Sequence, residues 1–139
     1  MGTLVRYSND VERIFNDVDT VSAAVTLTAA DSGKWYKLDA SAGVTVTLPS
    51  VKSGLNFRFV VASAFATTNF IIDSAEGDNI NGILVVNGAS VAASGEDQIN
   101  FVASAESIGD FVELWSDGSN WFVYGIGNSA GSITATDPS

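Results

Sequence analysis

The 139-residue chain contains neither cysteine nor histidine. Without cysteine it can form no disulfide bond and no thiolate metal site. Without histidine it lacks the side chain most often used as a general base, a metal ligand or a pH switch near neutrality. We therefore expect no enzymatic activity, no catalytic or cofactor-binding residues, and no required metal or cofactor.

Charged residues are also scarce, at 16% of the chain against about 25% in a typical soluble domain. All six basic residues lie at or before Arg58, whereas ten acidic residues follow it and produce the net charge of −10. Such an acidic stretch repels nucleic acid, and its simplest interpretation is a solvated surface. Because 46% of the residues are nevertheless hydrophobic, we expect the chain to hide part of its surface by self-association.

Long hydrophobic runs are missing as well. The apolar stretches are short and interrupted by Asn, Asp or Ser, so none has the length of a membrane-spanning helix. The first residues do not form the apolar core of a secretory signal. We expect synthesis in a host cytoplasm and no membrane partner.

Residues 1–20 differ from the remainder and are predicted to form an N-terminal arm. Thr3 to Tyr7 is expected to be extended. A short amphipathic helix is predicted near residues 10–17, because apolar residues recur at helical spacing, namely at Val11, Ile14, Phe15 and Val18. An open alternative is that the arm adds an edge strand to the protein's own sheet.

From Thr20 onward, apolar residues alternate with polar ones, which is typical of half-buried β-strands. The clearest unit is Asp110–Gly125, where two aromatic runs flank the turn Ser116–Asn120 and predict a hairpin at the centre of a sheet. Trp115 and Trp121 are expected to form a cross-strand pair. About nine short strands predict an all-β fold, a single small antiparallel β-sandwich over residues 21–139.

Two groups of residues could carry chemistry. The turn after the strand at residues 70–73 offers closely spaced oxygen ligands, so Ca²⁺ is conceivable there, although a solvated turn explains it more simply; its residues are Asp73, Glu76, Asp78, Asn79 and Asn81. Glu113 could join Asp110 or Asp117 in a carboxylate pair, although a strand's solvent face accounts for it. Trp35 or Trp121 could be a sugar platform or, alternatively, a core residue.

Three segments, 33–49, 54–59 and 111–123, resemble β-rich virion proteins of tailed bacteriophages, notably head decoration (cement) proteins and some tail-fibre domains. The resemblance covers roughly residues 20–126 and rests on turn-and-strand patterns. It implies a β-tulip-like or sandwich domain that forms a homotrimer on the capsid exterior. There it would bind the major capsid protein at local three-fold positions and stabilise the shell.

In that interpretation the arm docks on the shell. The predicted capsid-docking residues are Leu4, Val5, Arg6, Tyr7, Arg13, Ile14 and Phe15. Two alternatives remain open, a tail or fibre module that recognises a receptor and a lectin-like glycan binder.

Overall fold

The structure, a computed structural model, describes residues 3–6, 12–15 and 18–138. These residues form fourteen β-strands and one 3-10 turn, Ala29–Asp31. No helix in the described part of the chain is long and apolar enough to cross a membrane. The strands are β1 Thr3–Arg6, β2 Glu12–Phe15, β3 Val18–Val21, β4 Val25–Thr26, β5 Trp35–Leu38, β6 Thr45–Thr47, β7 Asn56–Val61, β8 Phe70–Asp73, β9 Ile80–Val86, β10 Ala89–Glu96, β11 Gln98–Phe101, β12 Phe111–Ser116, β13 Trp121–Gly127 and β14 Ile133–Thr136.

Two sheets form the body of the protein. The larger has the strand order β10-β9-β13-β12-β7-β5-β3, and the smaller has the order β14-β11-β8-β6-β4. Buried side chains from both sheets belong to one hydrophobic cluster, which is the arrangement of a β-sandwich. The all-β prediction is therefore confirmed, and β12 of the expected hairpin is the middle strand of the larger sheet.

The core follows from the two-residue alternation of the strands. In β7, Phe57, Phe59 and Val61 are buried, while the residues between them are half-buried on the opposite face. Trp121 of β13 is fully buried, and its ring centroid lies 6.0 Å from that of Phe57. Because successive side chains of a strand point to opposite faces, every strand that lines this core must present its other side chains outward.

The sheets are mixed rather than antiparallel. From β3 to β8 the chain visits the two sheets in turn, so that β3, β5 and β7 are neighbours in one sheet and β4, β6 and β8 in the other. Neighbouring strands in each set run parallel, because each is reached after one strand of the opposite sheet. A period-two pattern predicts which face of a strand is buried, but it does not predict whether neighbouring strands run parallel or antiparallel.

The helix predicted near residues 10–17 is wrong. Glu12–Phe15 is strand β2 and pairs antiparallel with β1, so its backbone groups are used between strands. A helix of eight residues would be marginal in water, whereas this pairing satisfies both segments. Val18–Val21 then forms the edge strand β3 of the larger sheet, which thus starts before the expected boundary at residue 20.

The expected pair of Trp115 with Trp121 is also wrong. In the hairpin, Trp115 is opposite Phe122, and Trp121 is opposite Ser116. This register places the two tryptophans on opposite faces of the sheet. Trp121 enters the core, and Trp115 is 46% exposed on the outer face.

Candidate interaction surface

The outer face of the seven-stranded sheet carries large apolar side chains where a solvated sheet face normally carries polar ones. The register sets Ile83, Tyr124, Glu113 and Arg58 in one row across β9, β13, β12 and β7, and parallel rows flank it. We call this surface the aromatic face. Its large apolar members on the five strands β9, β13, β12, β7 and β5 are Trp35, Val60, Ile83, Val85, Phe111, Trp115, Phe122, Tyr124 and Ile126. Val18 of the edge strand β3 lies beside Trp35.

Four of these side chains are among the most exposed hydrophobic residues of the described chain. Their exposed fractions are 54% for Ile83, 46% for Trp115, 44% for Tyr124 and 41% for Ile126. Single exposed apolar residues are common, whereas a contiguous apolar patch marks an interaction site. The four belong to three adjacent strands, so they form one patch.

Ring contacts hold the aromatic side chains against one another. Phe111 lies between Trp35, at 6.5 Å, and Tyr124, at 6.3 Å, measured between ring centroids. Trp115 and Phe122 are 5.8 Å apart on the same face. Such pairs restrict the rotamers of each ring, so the surface has a defined shape before any partner arrives.

The charges of this face are few and partly compensated. The Arg58 Nε atom lies 3.7 Å from a carboxylate oxygen of Glu113, and the guanidinium lies 5.6 Å from the ring centroid of Trp35. Lys37 is the other charged residue that the register places here. The face thus has a formal charge of +1, whereas the whole chain carries −10.

Six of the seven predicted docking residues lie in the N-terminal hairpin, which is formed by β1 and β2. Leu4, Val5 and Arg6 belong to β1, and Arg13, Ile14 and Phe15 belong to β2. The register pairs Leu4 with Ile14 and Val5 with Arg13, whereas Arg6 is opposite Glu12 and Phe15 is opposite Thr3. Tyr7 lies outside the described residues. Their role in docking stays a prediction.

A cleft of about 460 Å³ opens beside the edge strands β3 and β4. Near it, the buried Lys34 donates a 2.8 Å hydrogen bond from Nζ to Asp19, with Asp31 at 3.7 Å. The hydrogen bond to Asp19 raises the pKa of Lys34, which favours the protonated form of this amine. Burial raises the pKa of Tyr36, which also lines the cleft, to about 12.

Three carboxylates converge beside the strand ends at one side of the smaller sheet. Glu76, Asp97 and Asp137 have ligand atoms within 4.8 Å of one another, because β11 begins beside the ends of β8 and β14. Burial, followed by the charge of Glu76, raises the pKa of Asp97. These residues could hold a cation, although exposed acidic groups commonly cluster without one.

The acidic turn considered for Ca²⁺ does not assemble as one ligand set. Asp73 accepts a hydrogen bond from Gln98, Asp78 from the backbone N–H of Val51, and Asn81 from that of Gly95. Glu76 alone of the five candidates joins the carboxylate cluster. Trp121 is a core residue, and Trp35 is half-buried on the aromatic face.

Glu113 lies on the sheet's outer face with Arg58, as its interpretation as a surface charge predicted. The aromatic face itself was not predicted from the sequence. Its signal was present in β12 and β13, where large apolar residues occupy both alternating sets of positions, as in Phe111-Val112 and Trp121-Phe122.

No protein-family model, curated protein or solved structure matches the chain.

Proposed function

We propose that this chain is a non-enzymatic structural protein of a tailed-bacteriophage virion, which decorates and stabilises the outside of the head. It acts as a homotrimer at local three-fold positions and contacts the major capsid protein. The structural observation that best supports this proposal is the aromatic face, since a rigid, exposed apolar sheet surface serves association rather than catalysis. The location in a virion and the capsid as partner are inferred from the resemblance of residues 20–126 to head decoration proteins.

The distribution of charge agrees with such a role. All charged residues after Arg58 are acidic. Outer surfaces of like charge keep large particles apart in solution. The aromatic face is nearly neutral and is therefore suited to contact with protein. Aromatic residues and arginine are enriched in protein interfaces and dominate their binding energy.

The N-terminal hairpin is proposed to contact the shell. Its strands β1 and β2 pair with each other and form a separate two-stranded sheet. A two-stranded hairpin has little stability by itself, so binding to a neighbouring protein would stabilise it. Three hairpins in one trimer would bind together, and the effective concentration of each would multiply modest individual affinities.

The test is reconstitution of heads that lack the protein. Wild-type protein, a variant without residues 2–16 and a full-length Lys52→Ser control are mixed with such heads, and bound copies are counted after sedimentation. The deletion retains β3. We expect wild type and control to bind and to raise the temperature of DNA release, while the deletion variant folds but leaves the heads bare. Failure of the wild type to bind heads would contradict the proposed function.

A tail or fibre module that binds a receptor glycan is the second candidate. It is favoured by the exposed Trp115–Phe122 ring pair, whose register neighbours on the two flanking strands are Asn56 and Asn81. Aromatic rings can stack on sugar faces while amides form hydrogen bonds to hydroxyl groups. Finding the protein on isolated tails, with saturable glycan quenching of tryptophan fluorescence, would select this function instead.

A further inference from the structure

We propose that the aromatic face is the surface through which one copy of this chain binds a second copy. The inference goes beyond the proposed function: two copies that meet through the same face form a two-fold pair, which is a contact separate from the three-fold contacts of the proposed homotrimer. It assigns the self-association to the outward residues of β9, β13, β12, β7 and β5, and so leaves the N-terminal hairpin available for the shell.

Charge favours a second copy as the occupant. Two molecules that each carry −10 repel one another across most of their surfaces. The aromatic face carries two basic residues and one acidic residue, Lys37, Arg58 and Glu113, so two copies can approach here without that repulsion. When the faces meet, Arg58 of one copy can also approach Glu113 of the other.

The face is larger than a small ligand can cover. Five strands at about 4.8 Å separation and six-residue strands at about 3.3 Å per residue give roughly 19 by 20 Å of sheet. That is about 400 Å² per copy, an area in the range of weak protein interfaces, which bury less than about 1,200 Å² in total. A stacked sugar would cover only the Trp115–Phe122 pair and would leave Ile83, Tyr124 and Ile126 exposed.

Arg58 already has partners for its charge on this face. Glu113 lies 3.7 Å away and the Trp35 ring centroid 5.6 Å away, so the guanidinium keeps these contacts when water is excluded. The rings of Phe111 and Tyr124 are in contact before association. Pre-ordered side chains lose less rotamer entropy on binding.

The experiment measures self-association of the full chain by sedimentation equilibrium from about 1 to 200 µM. The test variant is Trp115→Ser/Tyr124→Ser, which removes two exposed members of the face from neighbouring strands. The matched control is Val25→Ser/Ile108→Ser. These residues are 37% and 73% exposed but lie in β4 and in the loop before β12. Far-UV circular dichroism and thermal unfolding verify that each variant folds.

We expect wild type and control to associate equally, and the test variant to associate at least about tenfold more weakly, since central aromatic residues dominate interface energies. Equal association of all three proteins would overturn the inference. A wild type that stays monomeric to 200 µM would also overturn it, and saturable glycan quenching of Trp115 in that monomer would identify a saccharide as the occupant.

The outcome is separable from that of the proposed function. Self-association that requires Trp115 and Tyr124, in a protein that does not bind heads, supports this inference and contradicts the decoration role. Binding of heads at full occupancy by a protein that associates equally with and without the two residues contradicts the inference and supports the decoration role.

Discussion

Replacing the adjacent residues Leu114 and Trp115 by alanine, one at a time, tests how the larger sheet is oriented. Leu114 is 1% exposed within the core, whereas Trp115 is 46% exposed on the aromatic face. Truncation of a buried leucine costs about 2–5 kcal/mol, because the lost transfer free energy adds to the cost of a cavity. Trp115 loses a larger side chain but little buried area, so its replacement is expected to cost about 1 kcal/mol or less.

The assay is urea unfolding at equilibrium, measured at two protein concentrations so that self-association is seen separately from folding. A domain of 139 residues has a total stability of roughly 7–20 kcal/mol, so both variants should fold. Leu114→Ala should lower the free energy of unfolding at both concentrations. Trp115→Ala should change mainly the concentration dependence. Equal losses in the two variants, or a larger loss for Trp115→Ala at low concentration, would refute the assigned inner and outer faces.

Three further predictions concern backbone packing, pH and metal. Gly82→Ala and Gly88→Ala both carry the positive-φ penalty of about 1–2 kcal/mol. Gly82→Ala should cost about 1–3 kcal/mol more, because a Cβ there would lie 2.0 Å from the Val123 carbonyl oxygen, whereas the space around Gly88 is open; equal losses in the two variants on denaturation would count against the β9–β13 contact. The pKa of Asp97 is raised above its ordinary 3.8 by burial and by the nearby carboxylates of Glu76 and Asp137. The stabilising contribution of Asp97 is therefore present below pH 3.8 and is lost as pH rises through the folded-state pKa. Asp97→Asn should raise the melting temperature at pH 7 and leave it nearly unchanged at pH 3, and a lower melting temperature at pH 7 would contradict this. A chelator should leave the wild-type melting temperature unchanged, and a decrease would show that a bound ion stabilises the fold.

Alternation predicted most of the sandwich because burial on one face of a strand has a direct signature in sequence. The strand expected at residues 70–73 coincides with β8, Phe70–Asp73, and the two strands of the expected hairpin correspond to β12 and β13. The turn of the central hairpin was equally legible, since Gly118 has a φ of 101° and Asp117 accepts hydrogen bonds from the backbone N–H groups of Ser119 and Asn120. Local chemistry decides such features.

Features that depend on distant partners were not predictable in the same way. Strand β10 consists largely of Ala, Ser and Gly and has one buried apolar residue, Ala93. Its sequence therefore shows no alternation of apolar and polar residues, and the strand forms because it pairs with β9. The helical spacing at residues 11–18 was a coincidence of four positions, and strand pairing overrode it. The cluster of Glu76, Asp97 and Asp137 joins three separate segments, and no local pattern brings these segments together.

The aromatic face was hidden for another reason. In β12 and β13, apolar residues occupy both alternating sets of positions, so sequence alone could not tell inner from outer residues. The structure assigns Val112 and Leu114 to the core and Phe111 and Trp115 to the outside. The sequence therefore shows that the residues of the aromatic face are apolar, but it does not show that they lie together on the outside of the sheet.

The most direct measurement of the proposed function is the location of the protein in purified virions. Heads and tails are separated, the copies of this chain in each fraction are quantified by mass spectrometry, and the heads are imaged by electron cryomicroscopy. The proposal predicts that the protein is found with the heads, in copy numbers divisible by three, as density on the outer surface at local three-fold positions. Recovery of the protein with the tails, or its absence from virions, would contradict the proposal.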